Sequence, residues 1–242
     1  MPIVTKSNGI INRQSVCEYL EARKSENLNY KVLDIGGTAN NWCDRYVDAY
    51  VDIIPAANKR TFIGDINSDA VWSEIAKENW DFCICTHVLE DIRCPDFVID
   101  QIQKLFPAGF ISMPNKHSEL SHVESKFFLG WSHHRWIYTL DNDELKAIAK
   151  MPVVQYFSKS NSWYHKICSI ALVRRVLQLR GGFAPAIDGR LTWIDPALSA
   201  GDCELAFIWQ DDFKFSYINN DFAGLSTYEL ANLYLQDLSH GL

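Results

Sequence analysis

The sequence predicts an α/β fold in which helices cover a mostly parallel sheet. Short apolar runs alternate with amphipathic helical patterns between residues 31 and 113, and this alternation implies crossover connections and a sheet buried on both faces. A length of 242 residues suits one large domain, or one domain with an insertion. A composition of 48% hydrophobic and 22% charged residues is sufficient for a sizeable core.

The regular elements are predicted in the following order. A leading helix begins near the capping-box pattern at residues 15–18. Strands follow over 31–34, 49–53, 61–63, 80–86 and 109–113, with a short helix over 42–46 and longer helices from Asp69 and from Pro95. Pro95 suits a first helical turn because its missing N–H costs no hydrogen bond there.

The alternation breaks after the fifth predicted strand. Residues 114–201 are rich in histidine, tryptophan and polar residues, and they hold one predicted helix over 162–179. We expect a single domain over 1–242 in which 114–201 is an insertion or substrate-side segment, and we expect 114–135 to be a mobile cover. Strands over 204–209 and 213–218 are expected to pair as an antiparallel hairpin, and a last helix begins at the capping box 226–229.

Composition excludes several classes of protein. A net charge of −7 and a pI near 5.5 argue against general nucleic-acid binding. The most apolar long segment is interrupted by Arg174 and Arg175, so no membrane span is expected. Seven scattered cysteines without a Cys-x-x-Cys pair, and no secretory leader, favour a reducing cytoplasm. The sequence does not indicate an oligomeric state.

The most informative motif joins two acids and a glycine pair. The first strand runs into Asp34, followed by Gly36 and Gly37, and the second strand ends at Asp52, 18 residues after Asp34. Glycine at such a turn lets the backbone approach a ligand closely. An acid at the tip of the next strand can accept both hydroxyls of a ribose. The motif therefore predicts a pocket for a cofactor that contains adenosine.

This spacing resembles that of the class I S-adenosylmethionine-dependent methyltransferases, and the resemblance covers residues 31 to about 115. It departs at Thr38, which stands where that family often has a second glycine. The resemblance implies a Rossmann-like three-layer sandwich with an antiparallel C-terminal strand. It also implies S-adenosylmethionine as the cofactor, with Asp34, Gly36 and Gly37 at its amino-acid part and Asp52 at its ribose.

The resemblance extends to two further stretches. In Ile63-Gly-Asp65-Ile66, Asp65 would accept the adenine amino group, while Ile66 and Ile53 would line the base; a turn aspartate and core isoleucines are the alternatives. The segment 80–96 contains His-Val-Leu-Glu, as many small-molecule methyltransferases do, with Asp91 in place of a second histidine. His87 would then touch the cofactor, or else hydrogen-bond at the strand end, while Glu90 is expected to be structural.

A histidine-rich stretch follows the fifth predicted strand. His117, His122, His133 and His134 fall within 18 residues, together with Glu119 and Glu124. Imidazoles titrate near neutral pH and suit proton transfer, and imidazoles with carboxylates also bind zinc, iron or manganese. A solvated surface loop, an acid/base cluster and a metal site all remain open. Metal is possible here but is not predicted.

The sequence therefore predicts an S-adenosylmethionine-dependent methyltransferase that acts on a small or carbohydrate-like molecule. His133, His134 and His117 are the predicted bases, with His87 behind them. Arg135 and Lys116 are available to hold an anionic group of the substrate. The alternatives are a binding protein that has lost transfer activity and a metal-dependent enzyme that uses the histidine-rich stretch.

Overall fold

The computed structural model describes residues 3–6, 13–57, 59–119, 130–141, 143–150 and 204–218. The chain divides into two compact units. Unit 1 comprises Met1–Met113, Asn142–Leu145 and Leu205–Ser216, and unit 2 comprises Pro114–Asp141, Lys146–Glu204 and Tyr217–Leu242. The predicted helices over 162–179 and from residue 226 lie outside the described residues. No helix in the described part of the chain is long and apolar enough to cross a membrane.

The described residues form ten strands and four α-helices. The strands are β1 (Ile3–Lys6), β2 (Val32–Ile35), β3 (Ala49–Asp52), β4 (Arg60–Ile63), β5 (Phe82–Thr86), β6 (Ala108–Pro114), β7 (Trp136–Asp141), β8 (Glu144–Ala149), β9 (Glu204–Gln210) and β10 (Lys214–Tyr217). The helices are α1 (Arg13–Glu26), α2 (Asp69–Ile75), α3 (Pro95–Leu105) and α4 (Lys116–Glu119), with a 3₁₀ turn at Asp44–Tyr46.

A seven-stranded sheet of order β1-β9-β6-β5-β2-β3-β4 forms the centre of unit 1. Strand β2 runs parallel to both β3 and β5, β3 runs parallel to β4, and β5 runs parallel to β6. The carboxyl ends of five strands therefore meet at one edge, where ligands bind in open α/β sheets. Strand β9 pairs antiparallel with β1. The predicted Rossmann-like α/β fold is confirmed.

Apolar side chains are buried on both sides of this sheet. On one face, Val16 and Leu20 of α1 join a core cluster with sheet residues that include Val32, Tyr50, Phe82, Ile84 and Phe110. The alternate residues of the same strands are buried as well, among them Leu33, Val51, Cys83, Cys85 and Ile111. The burial of both faces explains why these strands read as continuous apolar runs in the sequence.

Several elements differ from the sequence prediction. Strand β10 does not form a hairpin with β9: it belongs to a three-stranded sheet of order β10-β8-β7, so the predicted hairpin is wrong. The physical reason is that β9 already has a neighbour on each side, β1 and β6. The edge strand β1 was not predicted, because four residues carry too little pattern. In addition, α1 begins at Arg13 rather than after Ser15.

Candidate cofactor site

Asp34 lies on β2 at the carboxyl edge of the sheet, and it is 1% exposed. Its Oδ2 accepts a hydrogen bond from Asn41 Nδ2 at 2.7 Å and a weaker one from Cys43 Sγ at 3.6 Å. Its Oδ1 is buried and has no hydrogen-bond partner among the residues that the structure describes. A buried carboxylate oxygen without a donor is costly. The site therefore lacks one donor, and a cationic or N–H group of a ligand would supply it.

The ionisation of Asp34 reflects this environment. Burial, the largest cause, raises the pKa of Asp34 to about 6. The hydrogen bonds from Asn41 and Cys43 act in the opposite direction, while the negative charges of Asp44 and Asp52 raise the pKa further. The two acids that the sequence pairs, Asp34 and Asp52, therefore lie near enough to interact electrostatically.

The glycine pair makes room for two neighbouring side chains. Gly36 has a φ of +76°, in the left-handed region that favours glycine. A Cβ at Gly36 would lie 2.3 Å from Cγ2 of Val88, and a Cβ at Gly37 would lie 1.9 Å from Oδ2 of Asp34. The Gly37 backbone therefore lies directly beside the Asp34 carboxylate, and the approach of a ligand to this turn stays a prediction.

Asp52 ends β3, next to the glycine turn. The Gly36 N–H donates to the carbonyl of Val51 at 2.7 Å, which places the turn after β2 against the end of β3. Oδ1 of Asp52 accepts the N–H of Ile54 at 2.9 Å and so fixes the turn that follows. Ile53 is 72% exposed and Ile63, the register partner of Asp52 on β4, is 62% exposed. Exposed isoleucines beside an acid suit the apolar base and the hydroxyls of a nucleoside.

Asp65 is engaged in a turn. Its Oδ1 accepts the backbone N–H of Asn67 at 2.9 Å, and its Oδ2 accepts from Arg93 at 3.1 Å. These contacts lower the pKa of Asp65, and the backbone bond from Asn67 is the largest cause. Ile66 is 9% exposed, and its carbonyl accepts from Nε1 of Trp72. The structure thus shows turn and core roles for both residues, and their predicted adenine contacts stay predictions.

His87 follows β5 at the same edge of the sheet. It has a φ of +54°, an uncommon conformation for a residue other than glycine, and its N–H donates to the carbonyl of Ser112 at 2.9 Å. Its side chain is 42% exposed. Because Val88 packs against Gly36, the residue before it lies close to the glycine turn. Unit 1 therefore brings Asp34, Gly36, Gly37, Asp52, Ile53 and His87 to one edge.

The histidine-rich stretch belongs to unit 2, and part of it is buried. Glu119 binds His134 Nδ1 through Oε1 at 2.5 Å and Lys150 Nζ through Oε2 at 2.9 Å. The exposed fractions of these side chains are 1% for Glu119, 6% for His134 and 1% for Lys150. The His134 ring also stacks on Trp131 at 4.9 Å. Within this cluster the Lys150 ammonium group therefore neutralises the Glu119 carboxylate.

The other predicted residues of unit 2 differ from one another in exposure. His133 is exposed and meets the His134 ring edge-on at 4.5 Å. Arg135 is exposed, whereas Lys116 is 6% exposed and its Nζ has no hydrogen-bond partner. Burial lowers the pKa of Lys116, partly offset by the negative charge of Asp141. His117 lies in the short helix α4, and His122 lies outside the described residues.

Asn41 and Cys43 are site residues that the sequence prediction missed. Both hold the Asp34 carboxylate, and Asn41 Oδ1 also accepts the backbone N–H of Cys43 at 3.0 Å. The available signal was their position, since they follow the glycine pair directly in a polar loop. Nothing in residue type alone shows that their side chains turn back toward β2.

No protein-family model and no curated protein matches this chain. Solved structures do. One is the N-terminal domain of EvdMO1 with SAH (S-adenosylhomocysteine) bound, at 9% identity and a TM-score of 0.35, covering 80% of each chain. Another is the CurJ carbon methyltransferase, at 10% identity and a TM-score of 0.40, covering 83% of this chain and 54% of that one. A third is coclaurine N-methyltransferase bound to N-methylheliamine and SAH, at 12% identity and a TM-score of 0.32. That match covers 51% of this chain and 43% of the other.

Proposed function

We propose that this protein is an S-adenosylmethionine-dependent methyltransferase that acts on a small or carbohydrate-like molecule. The main observation in support is Oδ1 of Asp34, which is buried beside a glycine pair at the carboxyl edge of a parallel sheet and accepts no hydrogen bond from the described residues. The α-ammonium group of S-adenosylmethionine supplies the missing donor. The two-acid pattern, with Asp52 on the neighbouring strand, fits a ribose beside that group.

Each residue of the site has a defined part in this proposal. Asp34 binds the ammonium group, and the backbone at Gly36 and Gly37 forms the wall of the pocket. Asp52 accepts the ribose hydroxyls, and Ile53 covers the adenine. When bound, the cofactor supplies a methyl group on a positively charged sulfur. The protein then mainly has to hold the acceptor in line, and alignment of this kind can contribute roughly 7–11 kcal/mol.

The acceptor needs a base only if its reactive group must lose a proton. The sequence predicts His133, His134 and His117 for this role. His134 is enclosed by Glu119 and Trp131, so of this predicted set His133 is the described ring that is exposed. A small acceptor is favoured by the absence of basic runs that would recognise nucleic acid.

Calorimetric titration with S-adenosylmethionine and S-adenosylhomocysteine (SAH) tests the proposal. Wild-type protein should bind both, and Asp52→Ala should weaken binding by about 1.5–3 kcal/mol, the scale of a hydrogen bond to a charged group. Asp52→Asn keeps the oxygen that accepts from Ile54 and separates loss of the charge from loss of the turn. Asp48→Asn is the matched control, because Asp48 precedes β3 at the opposite end of the same strand.

Two results would count against this proposal. Undetectable binding of both ligands to folded wild-type protein would remove the cofactor assignment. Equal affinity in wild type, Asp52→Ala and the Asp48 control would remove Asp52 from the site. Binding of both ligands without transfer to any acceptor would instead favour a binding protein on the same fold.

A further inference from the structure

Glu90 is a buried acid to which the proposed cofactor site assigns no role. It lies in the turn after β5 and is 1% exposed, and neither of its carboxylate oxygens accepts a hydrogen bond. The Nδ1 atom of His87 lies 3.2 Å from its Oε1, at the distance of a charge pair. A carboxylate buried in this way is costly unless a positive charge or a donor faces it. His87 is the group placed to provide one.

We infer that Glu90 holds the proton of His87 on Nδ1, so that Nε2 of His87 takes the proton of the methyl acceptor. The inference rests on the proposed function and deepens it, because it names the acceptor class as one whose reactive group must lose a proton, such as a hydroxyl. Glu90 is then a positioning residue and His87 the catalytic base.

The proton transfer is balanced within this pair. The acceptor's X–H proton moves to Nε2, and its bonding electrons stay on the acceptor atom, which becomes the nucleophile. The imidazole ring gains a positive charge 3.2 Å from the Glu90 carboxylate. The carboxylate attracts the charged ring more strongly than the neutral ring, so the pair stabilises the state after proton transfer more than the state before it.

Three features favour His87 over His134 as the base, although each ring faces a glutamate. The His87 side chain is 42% exposed and that of His134 only 6%, so an acceptor can reach His87. Glu119 is already neutralised by Lys150, whereas among the described residues Glu90 has no cation partner other than the His87 ring. His87 also stands at the edge that holds Asp34 and the glycine turn, in an uncommon backbone conformation of the kind that clusters at functional sites.

Long-range ¹H–¹⁵N NMR of histidine-labelled protein tests the pair directly. Spectra at pH about 8.5, two units above an ordinary histidine pKa of about 6.5, report which nitrogen carries the proton. The His87 signal is assigned by its loss in His87→Asn. In wild-type protein the proton should reside on Nδ1, and Glu90→Gln should abolish that preference, because an amide can donate to Nδ1 instead. Glu119→Gln, at the other histidine–glutamate pair, should leave the His87 signal unchanged.

Several outcomes would overturn the inference. If the His87 proton of wild-type protein resides on Nε2, the inference is wrong, and no variant is needed to show it. The inference is also wrong if the His87 signals of wild type and folded Glu90→Gln are identical. SAH calorimetry on the same samples keeps the two proposals apart. Loss of SAH binding by wild type defeats the cofactor assignment, while intact SAH binding with an unchanged tautomer defeats only the pair. With an acceptor known, His87→Asn should lower kcat about 10²–10⁴-fold at nearly constant KM for the cofactor.

Discussion

Asp34 is the residue on which the proposed cofactor site depends, and its properties in the absence of ligand are unfavourable. Its carboxylate is buried, one oxygen has no donor, and its pKa is raised to about 6. Near neutral pH the folded protein therefore carries an ionised group that the unfolded chain would hydrate better. This is the cost of keeping a ligand site ready, and a bound cation would offset it.

Replacing Asp34 with Asn should raise the unfolding free energy at pH 7.5. Because the folded pKa lies above the unfolded value of 3.8, protonation stabilises wild-type protein fully below pH 3.8, and this stabilisation is lost as the pH rises through about 6. The advantage of Asn over Asp should therefore shrink by about 1.4 kcal/mol between pH 7.5 and pH 5. Urea denaturation at the two pH values measures it, and an advantage that does not change with pH would contradict a raised pKa.

The sequence predicts where some of these residues lie but not which partners others meet, for physical reasons. The placement of Asp34, Gly36 and Asp52 at the carboxyl edge of the sheet was predictable because strand ends, glycine turns and their spacing are local features. The partners of Asp65 were not, since Arg93 lies 28 residues away and meets it only in the folded chain. Nor does the clustering of histidines reveal that the His134 ring is buried while His133 is exposed.

At the scale of elements, the turn after β2 and the turn after β5 are fitted to each other. Gly36 in its left-handed conformation leaves room for Val88, whose Cγ2 would lie 2.3 Å from an added Cβ. This contact fixes the glycine turn relative to His87. The mutual fit of two short loops therefore shapes this edge of the sheet.

Gly36→Ala should destabilise the protein for two reasons that a second mutation separates. The left-handed conformation alone costs a residue with a Cβ about 1–2 kcal/mol, and the overlap with Val88 adds to it. In the double variant Gly36→Ala/Val88→Ala the overlap is relieved, so the two losses should not add, with a coupling of about 0.5–3 kcal/mol. Chemical denaturation of the full cycle measures this coupling. Strict additivity would show that the two turns do not touch.

The buried ion cluster of unit 2 should matter to stability. Lys150→Met removes the ammonium group from Glu119, which is 1% exposed, and should cost about 3–5 kcal/mol. Lys150→Met/Glu119→Gln should recover part of that loss. The control is Lys146→Met. The Nζ of Lys146 lies 2.8 Å from Oδ2 of Asp141, whose side chain is 39% exposed, and an exposed pair contributes about 1 kcal/mol or less.

This cluster also changes an expectation from the sequence. A solvated surface loop is one of the alternatives that the sequence leaves open for the stretch from 117 to 134. For His134 the structure shows a different environment, because its ring is held between Glu119 and Trp131. Equal costs for Lys150→Met and Lys146→Met in denaturation experiments would favour the solvated loop.

At the scale of the whole molecule, the parallel part of the sheet was predictable and its other edge was not. Strands β2, β3, β5 and β6 are buried on both faces and therefore leave a clear pattern in the sequence. The edge strand β1 has four residues, and its pairing with β9 joins the two ends of unit 1. Pairings between such distant segments depend on tertiary contacts rather than on local pattern, which is why β10 was assigned the wrong neighbour.

The most direct test of the account is an experimental structure of the protein with SAH. The amino group of SAH should lie against Oδ1 of Asp34, with the ribose hydroxyls at Asp52 and the adenine beside Ile53. The backbone at Gly36 and Gly37 should contact the ligand without moving. SAH bound at a different place, or a saturated solution that leaves the carboxyl edge of β2 and β3 empty, would contradict the central claim that this edge is the cofactor site.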